Sequence, residues 1–400
     1  MTKRETIAHL AGFDFRDTKS TFAHKSTPEL RKSALLFRLM SKPGLVNFAN
    51  KSAMTMADTG IPVAWAVKPT LYKQFVGGET LKECEPVVKD LKSRNIHAIL
   101  DYSAEAGSKK SDYESVVNET LRSIEFAKHN DAIPFTVFKP TAIGDTKVLK
   151  KISFNEKLTT QEQAEADKFK ARMFRIADAA YKANIRLLID AEDFWFQEAI
   201  DNVVFELMLN YNRDQAIIFN TWQMYRHDRL EHLKNTISEA NEKGVFTGVK
   251  LVRGAYMEKE RERAEAGGYP SPIHPDKVST DNAYNDALEL CINNLNTIEV
   301  FNGTHNEFST SYLAGLMIER NIPANHPGIW FAQLFGMSDH ITTQLAIKGY
   351  NVTKYVPYGP VNKVLPYLSR RAQENTSVKG QTGRELSLIA AELKRRKSER

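Results

Sequence analysis

Cysteine is nearly missing: Cys84 and Cys291 are the only two in 400 residues. Thiols so placed give neither the paired spacing of a zinc site nor a disulfide framework, which suits a reducing compartment. No apolar run approaches the ~18 residues of a membrane-crossing helix. The first 32 residues lack an uninterrupted apolar core of the secretory kind, and Glu5, Asp14, Asp17 and Glu29 make them too acidic for a mitochondrial presequence. The start therefore reads as mature protein. Low-complexity sequence and internal repeats are absent apart from a charged C-terminal stretch. A strong charge of one sign is also missing, since 55 basic residues face 49 acidic ones for a net +6. That balance suits anionic ligands or lipid heads and gives no argument for nucleic acid.

What is present is an ordinary globular composition, 42% hydrophobic and 26% charged, with a rhythm in it. Apolar runs of strand length fall at 97–102, 134–139, 185–190, 216–221, 248–254, 298–304, 328–334 and 352–358. Between them, helical spacing fills 113–130, 161–184, 194–210, 226–243, 280–296, 307–320 and 339–348. Strand and helix alternating eight times predict an α/β fold, a (β/α)8 TIM-like barrel with an N-terminal helical arm. The runner-up, an open doubly wound sheet, would usually carry G-x-G-x-x-G after its first strand, and none stands there. The expected division is an arm and lead-in over 1–79, the barrel over 80–380, and a basic helix or solvated tail over 381–400. In the arm, residues 28–40 read as an amphipathic helix with Leu30, Leu35, Leu36 and Leu39 on its packed side.

Barrel chemistry collects at the C-terminal strand ends, and the unusual polar residues recur there. Lys139 ends the second run, and Asp190 and Glu192 the third. Thr221 and Gln223 close the fourth. The fifth carries Lys250 and Arg253 before Gly254 and Tyr256, the sixth leads into Thr304, His305 and Asn306, and the eighth holds Tyr355. Asp190 and Glu192, two apart, fall on one face of a strand, a pattern shared by metal sites and glycosidase acid/base pairs. Against a metal, Lys139, Lys250, Arg370 and Arg371 bring positive charge to the same end. Trp195, Trp222 and Trp330 read as core or rim. Past Pro357, Gly359 and Pro360 a helix places Tyr367, Arg370, Arg371 and Glu374 on roughly one face. Taken alone, that face is either a solvated ion network or a fork for a small carboxylate.

Six separated patches resolve the choice: FKP at 138–140, IDAE at 189–192, NTWQMY at 220–225, VKLVRGAY at 249–256, THN at 304–306, and YVPYGPVNKVLPYLSRRAQEN at 355–375. In this order they resemble the proline dehydrogenase family over roughly 80–378. The resemblance implies a monofunctional flavoenzyme that binds FAD at the barrel's C-terminal face. It oxidises L-proline to Δ1-pyrroline-5-carboxylate by hydride transfer from C5 to flavin N5. Electrons then pass to membrane quinone, and a separate pyrroline-5-carboxylate dehydrogenase takes the product.

By the same resemblance Arg370, Arg371 and Lys139 hold the proline carboxylate, and Asp190 acts beside substrate nitrogen and flavin. Tyr256, Tyr355, Tyr367 and Leu334 wall the ring. Gln223, Lys250, Val252, Gly254, Thr304, His305 and Glu374 line the cofactor, while Glu105 pairs with an arginine as a gate. Lys250 stands where many members have arginine. Tyr355 disfavours hydroxyproline, the competing substrate. A barrel hydrolase using Asp190 and Glu192, and a barrel that binds an amino acid without chemistry, are the other classes. No metal is expected. The expected location is cytoplasmic or peripheral at the inner membrane, on the matrix side in a eukaryote.

Overall fold

The computed structural model describes residues 1–42, 44, 46, 64–103, 111–377 and 381–399. Its centre is a closed barrel of parallel strands in sequential order: β1 (His97–Tyr102), β2 (Phe135–Phe138), β3 (Arg186–Ile189), β4 (Ile218–Gln223), β5 (Thr247–Val252), β6 (Ile298–Gly303), β7 (Ile329–Leu334) and β8 (Val352–Tyr358). β1 closes the cylinder on β8 through the register His97 to Thr353 and Tyr102 to Tyr358. The doubly wound alternative is thereby set aside, because an open sheet leaves two edges and this one has none.

Side chains alternate across each strand, so every second residue enters the barrel. Ile99, Phe135, Val137, Leu188, Phe219, Phe301, Trp330 and Tyr355 fill it. Arg186 plugs the floor, with Nε donating to Glu299 at 2.8 Å. The outward-facing alternates, such as Val352 and Val356, join the larger core between strands and helices.

Before the barrel come α1 (Lys3–Leu10), α2 (Thr18–Thr21), α3 (Thr27–Met40), short helical turns over 64–75, and α4 (Leu81–Ser93). Around it lie α5 (Ser111–Lys128), α6 (Thr146–Ser153), α7 (Thr160–Ala183), α8 (Phe194–Tyr211), α9 (Arg229–Glu242), α10 (Met257–Gly267), α11 (Lys277–Asn293), α12 (Glu307–Glu319) and α13 (Asp339–Ile347). α14 (Val361–Ser377) and α15 (Gln381–Ser398) end the chain. No helix among the described residues is long and apolar enough to cross a membrane.

Several local expectations need correction. β3 stops at Ile189, so Asp190 and Glu192 stand on the loop after it and not on a strand face. β4 runs two residues later than the apolar run, because Ala216 is drawn to the floor, where its N–H meets Glu299. That shift places Gln223 on the strand itself. α3 packs through Leu30, Ala34, Phe37 and Met40, whereas Leu35 and Leu39 are 59% and 41% exposed. α10 was missed, since Met-Glu-Lys-Glu-Arg-Glu-Arg carries no apolar periodicity; it is pinned by Glu260, buried and accepting from Tyr225 Oη at 2.8 Å.

The C-terminal segment is a docked helix, not a solvated tail. Leu388 and Ile389 pack with Leu30 and Phe37 of the arm and Val364 and Leu368 of α14 in a satellite core. Fully buried Glu392 takes hydrogen bonds from Thr18 Oγ1 at 3.0 Å, Arg395 Nε at 2.8 Å and Arg396 Nε at 2.6 Å.

Candidate active site

Three strand ends and one loop bring their charges together at the barrel mouth. Asp190 accepts from Lys139 Nζ at 2.8 Å on one oxygen and from Lys250 Nζ at 2.5 Å on the other. Tyr355 Oη donates to the same carboxylate, 3.0 Å from each oxygen. The Lys250 ammonium lies 4.7 Å from the centre of the Tyr355 ring. Burial disfavours the charged form of Asp190, but the two lysines outweigh it and hold the carboxyl far below its usual range. Lys139 is half-buried, which works against its charge, but Asp101, at 3.7 Å, and then Asp190 keep its pKa above that of a free lysine. Both ions therefore stay charged across the physiological range.

Glu192 is set the other way. Thr141 Oγ1 donates to it at 2.6 Å and Tyr256 Oη at 3.1 Å, yet burial pushes its carboxyl up to about 6. Tyr256 is thus braced by the neighbour of Asp190, and the charge of Arg370 reaches both Tyr256 and Asp193. On α14 the adjacent arginines diverge: Arg370 is half-buried towards Tyr256, while Arg371 is buried, 5.3 Å from the Tyr367 ring centre, with its charge felt at His305. A helix turns about 100° per residue, so neighbours on it reach different walls of one mouth. Tyr355, Tyr367 and Arg371 are buried, and Leu334 is partly so.

The residues expected around a flavin form the β4 to β6 side. Gln223 is buried, and its Oε1 has no hydrogen-bond partner among the described residues. Gly254 has φ of +130°, and a Cβ there would lie 2.4 Å from the Tyr225 ring, so only glycine keeps the backbone in place. Val252 ends β5, half-buried. Thr304 Oγ1 receives Arg253 Nη1 at 2.8 Å. His305 Nδ1 lies 2.8 Å from Ser338 Oγ, and burial, helped by Lys354 and Arg371, lowers its pKa to about 3. The ring is neutral. An unpaired buried amide oxygen and a glycine-lined approach fit the polar edge and flat face of an isoalloxazine.

Glu105 lies outside the described residues, and for Glu374 only the backbone, in α14, is described. Sequence reasoning passed over Asp101, although it too sits at a strand's C-terminal end, and over Thr141. It also passed over the support behind the loop. There, buried Asp201 accepts from Gln197 Nε2 and Asn220 Nδ2, both at 2.8 Å, and from Arg229 Nη1 at 2.7 Å. Gln197 Oε1 in turn receives the Glu192 N–H at 2.7 Å. Trp222 is fully buried, and Trp195 and Trp330 nearly so, as core residues. No cluster of His, Cys, Asp or Glu suited to a metal occurs among the described residues.

A family model described as proline dehydrogenase matches residues 84–384. A carbapenem antibiotics biosynthesis protein, CarD of Pectobacterium carotovorum, is 35% identical over 80% of this chain and 83% of its own length. Proline dehydrogenase 1, mitochondrial, of Dictyostelium discoideum is 30% identical over 95% of this chain and 74% of its own. A hydroxyproline dehydrogenase of Xenopus laevis is 32% identical, covering 94% and 88%. Among solved structures, proline utilization A from Bdellovibrio bacteriovorus superposes with a TM-score of 0.78 at 19% identity, over 95% of this chain and 42% of that one. The last likeness establishes the barrel fold alone, and this chain spans less than half of that protein.

Proposed function

The chain belongs to the proline dehydrogenase family, and from that premise we propose that it oxidises L-proline to Δ1-pyrroline-5-carboxylate with FAD bound at the barrel mouth. The observation that carries the proposal is a carboxylate, Asp190, locked between two lysines and a tyrosine, opposite a helix bearing paired arginines. Arg370, Arg371 and Lys139 hold the substrate carboxylate; guanidinium forks fix its orientation as well as its charge. Such positioning is worth about 7 to 11 kcal/mol of barrier where reacting atoms are held in near-attack geometry. Tyr256, Tyr355, Tyr367 and Leu334 close around the pyrrolidine ring and exclude water. Bound FAD would supply the acceptor for the hydride of the ring carbon beside nitrogen, held by Gln223, Lys250, Val252, Gly254, Thr304, His305 and Glu374.

Asp190 has an electrostatic task. A carboxyl held so far below its usual range is a poor base, so Asp190 is not read as the acceptor of the amine proton. Instead it keeps Lys139 charged and aimed, and fixes the Tyr355 hydroxyl. The contrast between Asp190 and Glu192 would also suit a hydrolase's acid and base. Family membership, not that contrast, decides against hydrolysis. Electrons leave for quinone, the product goes to a separate pyrroline-5-carboxylate dehydrogenase, and the mitochondrial relatives fit a matrix-side location in a eukaryotic source.

The deciding experiment is the visible spectrum of the purified protein without air, before and after L-proline. Flavin bands that bleach with proline and not with an unrelated amino acid are expected. Flavin that proline leaves oxidised but hydroxyproline bleaches would move the reading to a hydroxyproline dehydrogenase. A protein that retains no flavin after incubation with FAD and removal of the unbound excess would overturn it.

A further inference from the structure

Residues 1–83 and 385–400 lie outside the matched family segment, yet both ends of the chain converge on one turn, 335–339, between β7 and α13. Gly336 has φ of +79° and its carbonyl accepts Gln74 Nε2 at 2.9 Å. Gln74, in the lead-in, is itself held by Ser33 of α3 at 3.1 Å. Asp339 pairs with Lys25 of the arm at 2.8 Å and with buried Lys354 of β8 at 3.0 Å. From the other end, buried Glu385 of α15 accepts the backbone N–H of Ser338 at 2.6 Å. The two ends are also tied to each other, since Arg396 donates to the carbonyls of Phe22 and Lys25, each at 2.8 Å.

The turn they hold carries Ser338, which is left-handed at φ of +51° and whose hydroxyl meets His305 Nδ1. Leu334 N–H lies 3.5 Å from Nε2, and the tautomer assigned from that contact has Nε2 accepting and Nδ1 donating to Ser338. His305, Asn306, Glu307, Ser338, Arg384 and Glu385 line a cavity of about 280 Å3 beside the barrel mouth. Arg384 and Glu385 of the C-terminal helix form part of its wall.

We propose that the two chain ends form a clasp that retains the cofactor, in which Glu385 acts through Ser338 as the positioning residue for His305. The inference rests on reading His305 as a flavin contact, and it adds a role for a helix that runs on past the family segment. Without Glu385 the Ser338 N–H is left buried and unpaired, the turn relaxes, and the histidine loses its fixed tautomer. The clasp affects cofactor retention, not proline recognition, because neither Ser338 nor Glu385 lines the substrate wall.

The test measures FAD release from diluted holoprotein through the fluorescence of free flavin, alongside thermal unfolding. Glu385→Leu should raise the FAD dissociation constant about tenfold, the size of one buried hydrogen bond to a charged group. Glu385→Gln, whose carbonyl still accepts the Ser338 N–H, should stay within about twofold of the parent. Ser338→Gly suits the left-handed backbone and keeps the N–H that Glu385 accepts, but removes the hydroxymethyl group that meets His305, so it should weaken retention with the fold intact even where Glu385→Leu unfolds. Folded Leu and Gly variants that hold FAD as the parent does would overturn the clasp, and so would a Gln variant that loses it. A parent protein with no flavin would overturn the functional reading first, and its lack of colour tells that failure apart.

Discussion

Replacing Glu192 by glutamine isolates a carboxyl at the mouth that burial raises into the working pH range. In the folded protein it titrates at about 6, against about 4.3 in an unfolded chain. A raised carboxyl pKa means the folded state keeps a proton that the unfolded state has released. Its contribution is therefore fully present below about pH 4 and is lost as pH rises through about 6, a difference of about 2 kcal/mol. The side chain is 4% exposed, so solvent screening removes little of this. Glutamine reproduces the protonated acid: it accepts from Thr141 and reaches Tyr256, and has nothing to ionise.

Half-buried histidines act in the opposite sense over the same interval. His24 and His232, lowered to about 4, and His305, lowered to about 3, must gain charge as pH falls, so their part of the stability grows with pH. The informative quantity is thus the difference between variant and parent, measured by urea unfolding from pH 4.5 to 8. The variant should match the parent at the acid end and exceed it by about 2 kcal/mol at pH 8. Parallel curves with a constant offset would refute the account.

Arg370→Met should raise the KM for proline about tenfold or more with a smaller change in kcat, since a charge-assisted hydrogen bond contributes about 1.5 to 3 kcal/mol to a carboxylate's binding; an unchanged KM in steady-state kinetics would place the substrate elsewhere. Tyr355→Ser should raise kcat/KM for hydroxyproline relative to proline by about tenfold, because the parent phenol is tethered to Asp190 and cannot swing aside. A constant ratio between the two substrates would sink the steric reading. Arg229→Met leaves the buried Asp201 carboxylate without its cation at 2.7 Å and should cost about 3 to 5 kcal/mol in urea unfolding. Adding Asp201→Asn should recover part of that loss, and a fully additive double variant would show that the pair does not act as a unit.

How much was legible depended on whether the signal was local. Each strand of the barrel was visible to within about two residues, because burial on both faces of a parallel sheet demands a short apolar run and the polar helix turns between them punctuate it. The convergence of Lys139, Asp190, Lys250 and Tyr355 was also readable, since a barrel puts all strand ends on one face. The six patches carried the family, and with it the arginine helix.

Other features were written only in contacts between distant residues. That Asp190 lies between two lysines, while Glu192 two positions on is pushed towards neutrality, follows from which strands flank each side chain and from the burial they share. α10 has no amphipathic period and stands because Glu260 finds Tyr225, just past the neighbouring strand β4. The basic C-terminal residues read as solvated until Glu392, 374 positions from Thr18, gives them a buried partner. Periodicity and strand-end chemistry are properties of a few neighbouring residues, so the chain alone determined the barrel and its mouth. Ion pairing and pKa depend on the solvation and charges that closure assembles from all eight strands and both chain ends, and so only the tertiary structure could decide them.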